Sequence, residues 1–320
     1  MHSSLFFKFF PPPQFMLMKH AGLQVSDETI RCLEFRSHAG RTVLSKYGEM
    51  ALPEGVIDGG EIKDEKSLAS ALKEFGKKHG LSYVKVSVPE EKSYLFQTDV
   101  PAADVHGIAQ NIEFKLEENV PLAASDTLFC FDLMSTAGGT SHASVSVVPR
   151  SYIDDLGRLL ADANMHPVAF EVLPKAVARA VIPSHAVDAE LIVYIMKKKT
   201  GIYVVSRGVV CFTSTFGWGS DSVASEDAAD VSSLTREINR IYTYWMSHDT
   251  ALGSITKIVL VGSAAPRFEE TLRQAVMDSG ITVAVAHVWQ NVLDIDHYVP
   301  PIEEQDSLNY AAAAGLAMDL

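Results

Sequence analysis

Residues 191–219, LIVYIMKKKTGIYVVSRGVVCFTSTFGWG, constrain the fold more than any other stretch of the chain. Apolar, β-branched runs at 191–196, 202–206 and 209–215 are punctuated by Thr200–Gly201 and Arg207–Gly208. That pattern predicts three strands joined by two tight turns. The first turn carries Lys197, Lys198 and Lys199, where backbone N–H groups and positive charge would meet an anion in a phosphate-handling α/β domain. The same opening occurs earlier, with strands predicted at 21–25, 30–35 and 42–52 around Ser26-Asp27-Glu28-Thr29. Each triplet is followed by a helix and then a strand. In the first half, Leu68, Leu72 and Phe75 recur at helical spacing over 64–79, with Asp64 as N-cap and Gly80 as stop, before a strand at 84–89. In the second, Leu234, Ile238, Ile241 and Trp245 share one side of a helix over 231–247, before a strand at 257–261. A shared element order of this kind reads as an internal duplication.

Between the halves lie a strand at 94–98, a helix at 102–119, a hairpin of 127–134 and 142–148 around Gly138–Gly139, and a helix at 152–163. This block reads as an inserted subdomain. An apolar run at 168–173 and a helix at 174–181 return the chain to the first domain. The second half closes with a helix at 268–278, a strand at 282–286 and a helix at 308–318. At the start, LFFKFF at 5–10 is followed by three prolines, and reads either as a tail packed on the surface or as an interfacial anchor or docking peptide.

A length of 320 residues suggests about two domains. The formal charge of −13 argues against non-specific nucleic-acid binding, which needs clustered Lys and Arg. Cys32, Cys130 and Cys211 are scattered in apolar runs and are expected to be buried, reduced thiols, which suits the cytoplasm. No run approaches the roughly 20 apolar residues of a membrane helix, and no signal-peptide pattern opens the chain.

Several stretches together resemble the PilM family of type IV pilus assembly proteins, FtsA-like members of the actin-like ATPase superfamily. They are GLQVSDETIRCLEF (22–35), LPEGVIDGGEI (52–62), SVPEEKSYL (87–95), FKLEENVPL (114–122), the VVSRGVVCFTSTFGWG hairpin, LTREINRIYTYW (234–245), KIVLVGSAA (257–265) and AAAAGLAM (311–318). The resemblance implies an α/β, actin-like fold of two ribonuclease-H-like halves around a nucleotide cleft, with an inserted small α+β subdomain of the SHS2 type. The implied division is a tail at 1–18, a first domain at 19–91 and 167–188, the insert at 92–166, and a second domain at 189–320. It also implies a cytoplasmic protein at the inner face of the membrane, binding the N-terminal tail of a PilN-like membrane protein, with self-association as a further possibility.

Actin-like ATPases hold Mg²⁺ and the attacking water through one aspartate in each of two phosphate hairpins. The matching positions here are Gln24 and Tyr194, and the loop glycines fall on Ser26 and Met196. Asp27 lies nearby, but its side chain is expected to face elsewhere. No catalytic residue is therefore assigned, Mg²⁺ is not expected, and ATP is retained only as an alternative cofactor. The residues matching the family's nucleotide-contacting positions are Ser26, Thr200 and Gly201 in the hairpins, Glu237 and Arg240 on the helix near the ribose, and Gly262, Ser263 and Ala264 in the adenosine turn. Three readings stand for the lysines: a solvated turn, a residual phosphate contact, or contact with an anionic lipid or acidic partner. Glu237 and Arg240 read equally as an i,i+3 surface ion pair. The short segment SDSVASEDAADVSS at 220–233 implies a reduced lid subdomain, with Asp221, Glu226, Asp227 and Asp230 as a solvated loop and helix start. Asp294, Asp296 and His297 read as a surface turn rather than a metal pair. The function expected is a non-catalytic scaffold of the pilus inner-membrane complex. The alternatives are an actin-like ATPase driving assembly of that machine, and an FtsA-like division tether.

Overall fold

A computed structural model describes residues 19–222, 228–248, 252–276 and 280–318. The first half opens with β1 (Ala21–Val25), β2 (Thr29–His38) and β3 (Arg41–Ala51), followed by the short β4 (Ile57–Asp58) and β5 (Glu61–Ile62). Next come α1 (Glu65–His79) and β6 (Tyr83–Val88). The intervening block holds β7 (Tyr94–Pro101), α2 (Val105–Glu113), α3 (Leu116–Asn119), β8 (Thr127–Ala137), β9 (Thr140–Pro149) and α4 (Arg150–Asp162). β10 (His166–Val172) and α5 (Leu173–Val181) lead to the second half: β11 (Ala189–Ile195), β12 (Thr200–Ser206), β13 (Val209–Phe216), α6 (Ala228–His248), β14 (Ile255–Val261), α7 (Ala265–Ala275) and β15 (Thr282–Val285). α8 (Glu304–Ser307) and α9 (Ala311–Ala317) end it.

The expected duplication is present as topology. The sheets run β3-β2-β1-β6-β10 and β13-β12-β11-β14-β15, with β1 and β11 central, each antiparallel to the next strand and parallel to the one reached through a helix. β1, β11 and β12 are buried along their whole length, as strands covered on both faces must be. α1 and α4 cover the outer face of the first sheet, and α6 and α7 that of the second. α5 and the alanine-rich α9 share the cluster between the sheets, with Ile192, Tyr194 and Tyr203. The C-terminal helix thus packs on β1 of the opposite half, and small side chains let it approach closely.

Helix α1 begins where its sequence requires. The Asp64 carboxylate accepts from the Lys66 and Ser67 amides at 3.1 Å, and Gly80 takes the left-handed conformation at its end. Asp64→Ala is expected to cost about 1 kcal/mol of stability, read by urea denaturation with unchanged m-value.

Two expectations are corrected. The helix expected at 102–119 is two helices, broken at Phe114–Lys115, where the Lys115 amide donates three residues back to Ile112 at 2.8 Å. Ile108, Ile112, Leu116 and Val120 are four residues apart, a spacing that drifts by roughly 40° per step on a straight helix. The break re-aims the chain so that all four are buried while Phe114 is 83% exposed. Cys130 is exposed, unlike the buried Cys32 and Cys211, because it falls between Phe129 and Phe131 on β8, which pack on the insert's own core, and so takes the opposite face. Helix α4 packs with α1 on the first sheet, while the core of the three strands that precede it is closed by α2 and α3. The LFFKFF segment, Glu226 and Asp227 lie outside the described residues. No described helix is long and apolar enough to cross a membrane.

Candidate functional site

The two duplicated hairpins meet head to head. Ser26 N donates to Thr29 O at 3.0 Å and Met196 N to Lys199 O at 2.9 Å, so each hairpin closes on a two-residue turn, Asp27–Glu28 in one and Lys197–Lys198 in the other. Between them lies a cleft of about 140 Å³, lined by residues of both turns together with Gln24, Arg31, Tyr194, Met196, Ser263, Ala264 and Asn309. Ligand pockets commonly run to roughly 300–1,000 Å³, so little room is left for a nucleotide in this arrangement.

Gln24 and Tyr194, the positions where the resemblance placed the two aspartates, touch each other. Gln24 Nε2 donates to the Tyr194 hydroxyl at 3.4 Å, and the two residues are 1% and 2% exposed. Neither carries a charge that could hold a metal ion, and no described group of three or more His, Cys, Asp or Glu is arranged to do so. Gln24 Oε1 is buried with no partner among the described residues.

The lysine turn is not simply solvated. Lys198 pairs at the surface with Glu54 at 2.7 Å, but Lys199 is drawn inward, its ammonium 3.3 Å from Asp27 Oδ2 and hydrogen-bonded to Glu91 Oε1. Burial would lower the lysine's pKa, yet Glu91 and Asp27 outweigh it and raise it. Asp27, expected to face away, does face the cleft, because Gly60 N donates to its Oδ1 at 2.9 Å and leaves Oδ2 for the lysine. Beneath this pair, in the turn Glu90–Lys92 after β6, Glu90 is buried and accepts from the Tyr203 hydroxyl. Burial pushes its carboxyl up to about 7, opposed by the Tyr203 hydrogen bond. Burial likewise raises Glu28, against the pull of Lys197. Neither Glu90 nor Glu91 was a sequence candidate; their signal was a charged pair set directly after a buried strand, in SVPEEKS.

Of the nucleotide candidates, Ser26, Ser263 and Ala264 line the cleft. Ser26 already serves its own turn, with its hydroxyl donating to Thr29 O at 2.9 Å. Ser263 N donates to Asn309 Oδ1 at 3.1 Å. Thr200 is fully buried, donating to Trp218 O at 2.8 Å, and a Cβ at Gly201 would fall 2.1 Å from the Tyr203 hydroxyl oxygen. Gly262 has φ +98° and a Cβ there would meet Ile195 O at 2.0 Å, so this glycine is required by the crossing of two strand ends. Glu237 and Arg240 pair with one another at 3.0 Å, away from the cleft lining. Asp294 and His297 form an exposed pair at 3.0 Å.

No protein-family model and no curated protein matches the sequence. Among solved structures, the chain is similar to one described as the PilM-PilN type IV pilus biogenesis complex, at 15% identity and a TM-score of 0.77, covering 94% of this chain and 98% of that one. The cytoplasmic domain of EpsL, an inner-membrane component of the type II secretion system of Vibrio cholerae, aligns at 13% identity over 92% and 94% of the two chains, with a TM-score of 0.49. The ethanolamine utilization protein EutJ of Carboxydothermus hydrogenoformans aligns at 14% identity over 96% and 90%, with a TM-score of 0.47. The first likeness, with the duplicated sheets, establishes the actin-like fold.

Proposed function

We propose that this chain is a non-catalytic, PilM-like scaffold on the cytoplasmic face of a type IV pilus assembly complex, docking the N-terminal tail of a PilN-like membrane protein. The observation that carries the non-catalytic half is the contact between Gln24 and Tyr194. Phosphoryl transfer needs a metal ion bridging phosphate oxygens and a group that positions water. A neutral amide and a phenol at these positions supply neither, and Met196, which lines the cleft, carries a side chain where a loop glycine would let a phosphate approach. The scaffold half is supported by the fold likeness to a PilM–PilN complex together with the sequence resemblance over most of the chain. In this reading the insert around β7, β8 and β9 borders the docking groove, and the adenosine turn at Gly262, Ser263 and Ala264 is an inherited architectural feature.

Isothermal titration of the full chain with a synthetic N-terminal tail of a PilN-like protein is expected to give saturable heat. Absence of heat would remove the docking role. Incubation with ATP and Mg²⁺ is expected to release no phosphate above a protein-free blank. Release abolished by Asp27→Asn would instead establish an ATPase that has moved its carboxylate.

A further inference from the structure

The two turns facing each other across the cleft occupy equivalent places in the duplicated halves, yet they carry opposite charge. Asp27 and Glu28 stand opposite Lys197 and Lys198, and Lys199 reaches over to the acidic side. Two turns built to share an anion would both present donors to it. These two instead complement each other, and the ammonium of Lys199 sits where cationic charge is needed between the carboxylates of Asp27 and Glu91. We infer that the acidic turn Asp27–Glu28 and the lysine turn Lys197–Lys199, resting on Glu90 and Glu91, form a proton-sensitive clasp that holds the two halves together with no nucleotide in the cleft.

The contacts span three segments. Asp27 belongs to the β1–β2 turn, Glu90 and Glu91 to the turn after β6, and Lys199 and Tyr203 to the β11–β12 hairpin, so the clasp joins the first sheet to the second. Glu90 is faced by Tyr203 from β12, Thr215 from β13, Lys199 from the hairpin turn and its neighbour Glu91. Tyr194 stands beside Tyr203, and Tyr152 of α4 lies near Asp27 and Glu91. With every carboxyl ionised, Asp27, Glu90 and Glu91 share the one ammonium of Lys199. Glu90 Oε1 and Glu91 Oε2 have no hydrogen-bond partner among the described residues. A proton on Glu90 removes the least compensated of those charges.

The sign follows from linkage. The closed state raises Glu90 from 4.5 to about 7, so it binds the proton more tightly than an opened, solvated cluster does. The clasp is therefore tighter on the acid side and loosens as pH rises through the interval between those two values. The full difference is on the order of a hundredfold in the closed-to-open ratio, since each pH unit of that interval contributes up to tenfold. The clasp concerns the cleft alone, so it stands or falls independently of whether a PilN-like tail binds.

Hydrogen–deuterium exchange of the full chain, corrected for intrinsic rates and followed at the β1–β2 and β11–β12 turns, tests it. Between about pH 5.5 and about pH 8, protection in the nucleotide-free protein is expected to fall at least tenfold, on the basis of the linkage just given. Glu90→Gln, which fixes a neutral side chain in the same space, is expected to keep acid-level protection at both pH values. Lys199→Met is expected to expose both turns at both. A wild-type profile that is flat or rises with pH overturns the inference, and this outcome is readable even where a variant does not fold. Wild-type protection retained in Lys199→Met, or increased by ATP with Mg²⁺ in the wild type, overturns it as well.

Discussion

Gly315→Val is expected to leave the chain without a stable fold. Gly315 lies on α9, and a Cβ there would come within 1.8 Å of the Ala176 carbonyl oxygen and 2.7 Å of its carbon, both backbone atoms of α5. No flexible side chain is present to yield, so the helices would have to separate. Overpacking of an ordinary core position costs about 1–3 kcal/mol. Here the helix that must move is also pinned at Gly22, where a Cβ would lie 2.0 Å from Ala313 O, so the displacement breaks the contact of α9 with β1 too. Against a total stability of roughly 5–15 kcal/mol, a loss above about 3 kcal/mol takes much of the margin. Gly157→Ala on α4 is the control, since only Phe170 Cζ at 3.9 Å lies near its added Cβ. Gly157 is half-buried with room for a methyl, and a helical glycine of that kind replaced by alanine should gain about 0.5–1 kcal/mol. Thermal melts of the two variants should therefore move in opposite directions. A Gly315→Val protein that melts with the wild type would mean that α9 does not pack against α5 as described.

The contrast between those glycines also marks what sequence could and could not supply. The strands of both halves were legible because β-branched runs and turn residues act over a few neighbours, and α1 was legible through Asp64 and Gly80. The duplication was legible because the same order recurs. What escaped was decided by pairs far apart in the chain. Gln24 and Tyr194 are separated by 170 positions, and only the closed sheets reveal that the two replaced residues satisfy one another. Lys199 looked like a member of a solvated triplet, because nothing local distinguishes it from Lys198; its partners Asp27 and Glu91 come from the other half. The smallness of Gly262 suggested a ligand's approach, whereas the atom that approaches is Ile195 O. Even the helix break at Phe114–Lys115 belongs to this class, since the apolar residues at four-residue intervals are individually helical and only the position of the sheet they cover requires the re-aiming.

A second buried charge cluster carries the other large effect. Glu171 on β10 accepts from Arg179 of α5 and pairs with the Lys85 ammonium of β6 at 2.9 Å. Arg179 reaches on to Gly315 O at 2.7 Å, so the cluster ties the edge of the first sheet to both helices between the sheets. Burial would raise the Glu171 carboxyl, but Arg179 and Lys85 hold it below its ordinary value. Burial lowers Lys85, with Glu171 opposing. Glu171→Ala removes the one anion and leaves two cations facing each other in a nearly dry site, an outcome that costs about 3–5 kcal/mol where one partner of a buried pair is deleted. The triple change Lys85→Met, Glu171→Leu, Arg179→Met leaves no charge to desolvate and is expected to recover most of that loss. The pH dependence separates an uncompensated charge from a mere cavity. In Glu171→Ala the buried ammonium of Lys85 should give up its proton more readily, so the deficit relative to wild type should shrink as pH rises toward about 10. In the wild type Glu171 opposes that lowering of Lys85, and the carboxylate's own contribution is lost as pH falls through its depressed value. Urea denaturation of the three proteins at neutral and alkaline pH reads this directly. A deficit that stays constant with pH would assign the loss to packing and remove the ion cluster from the account of how α5 and α9 are held.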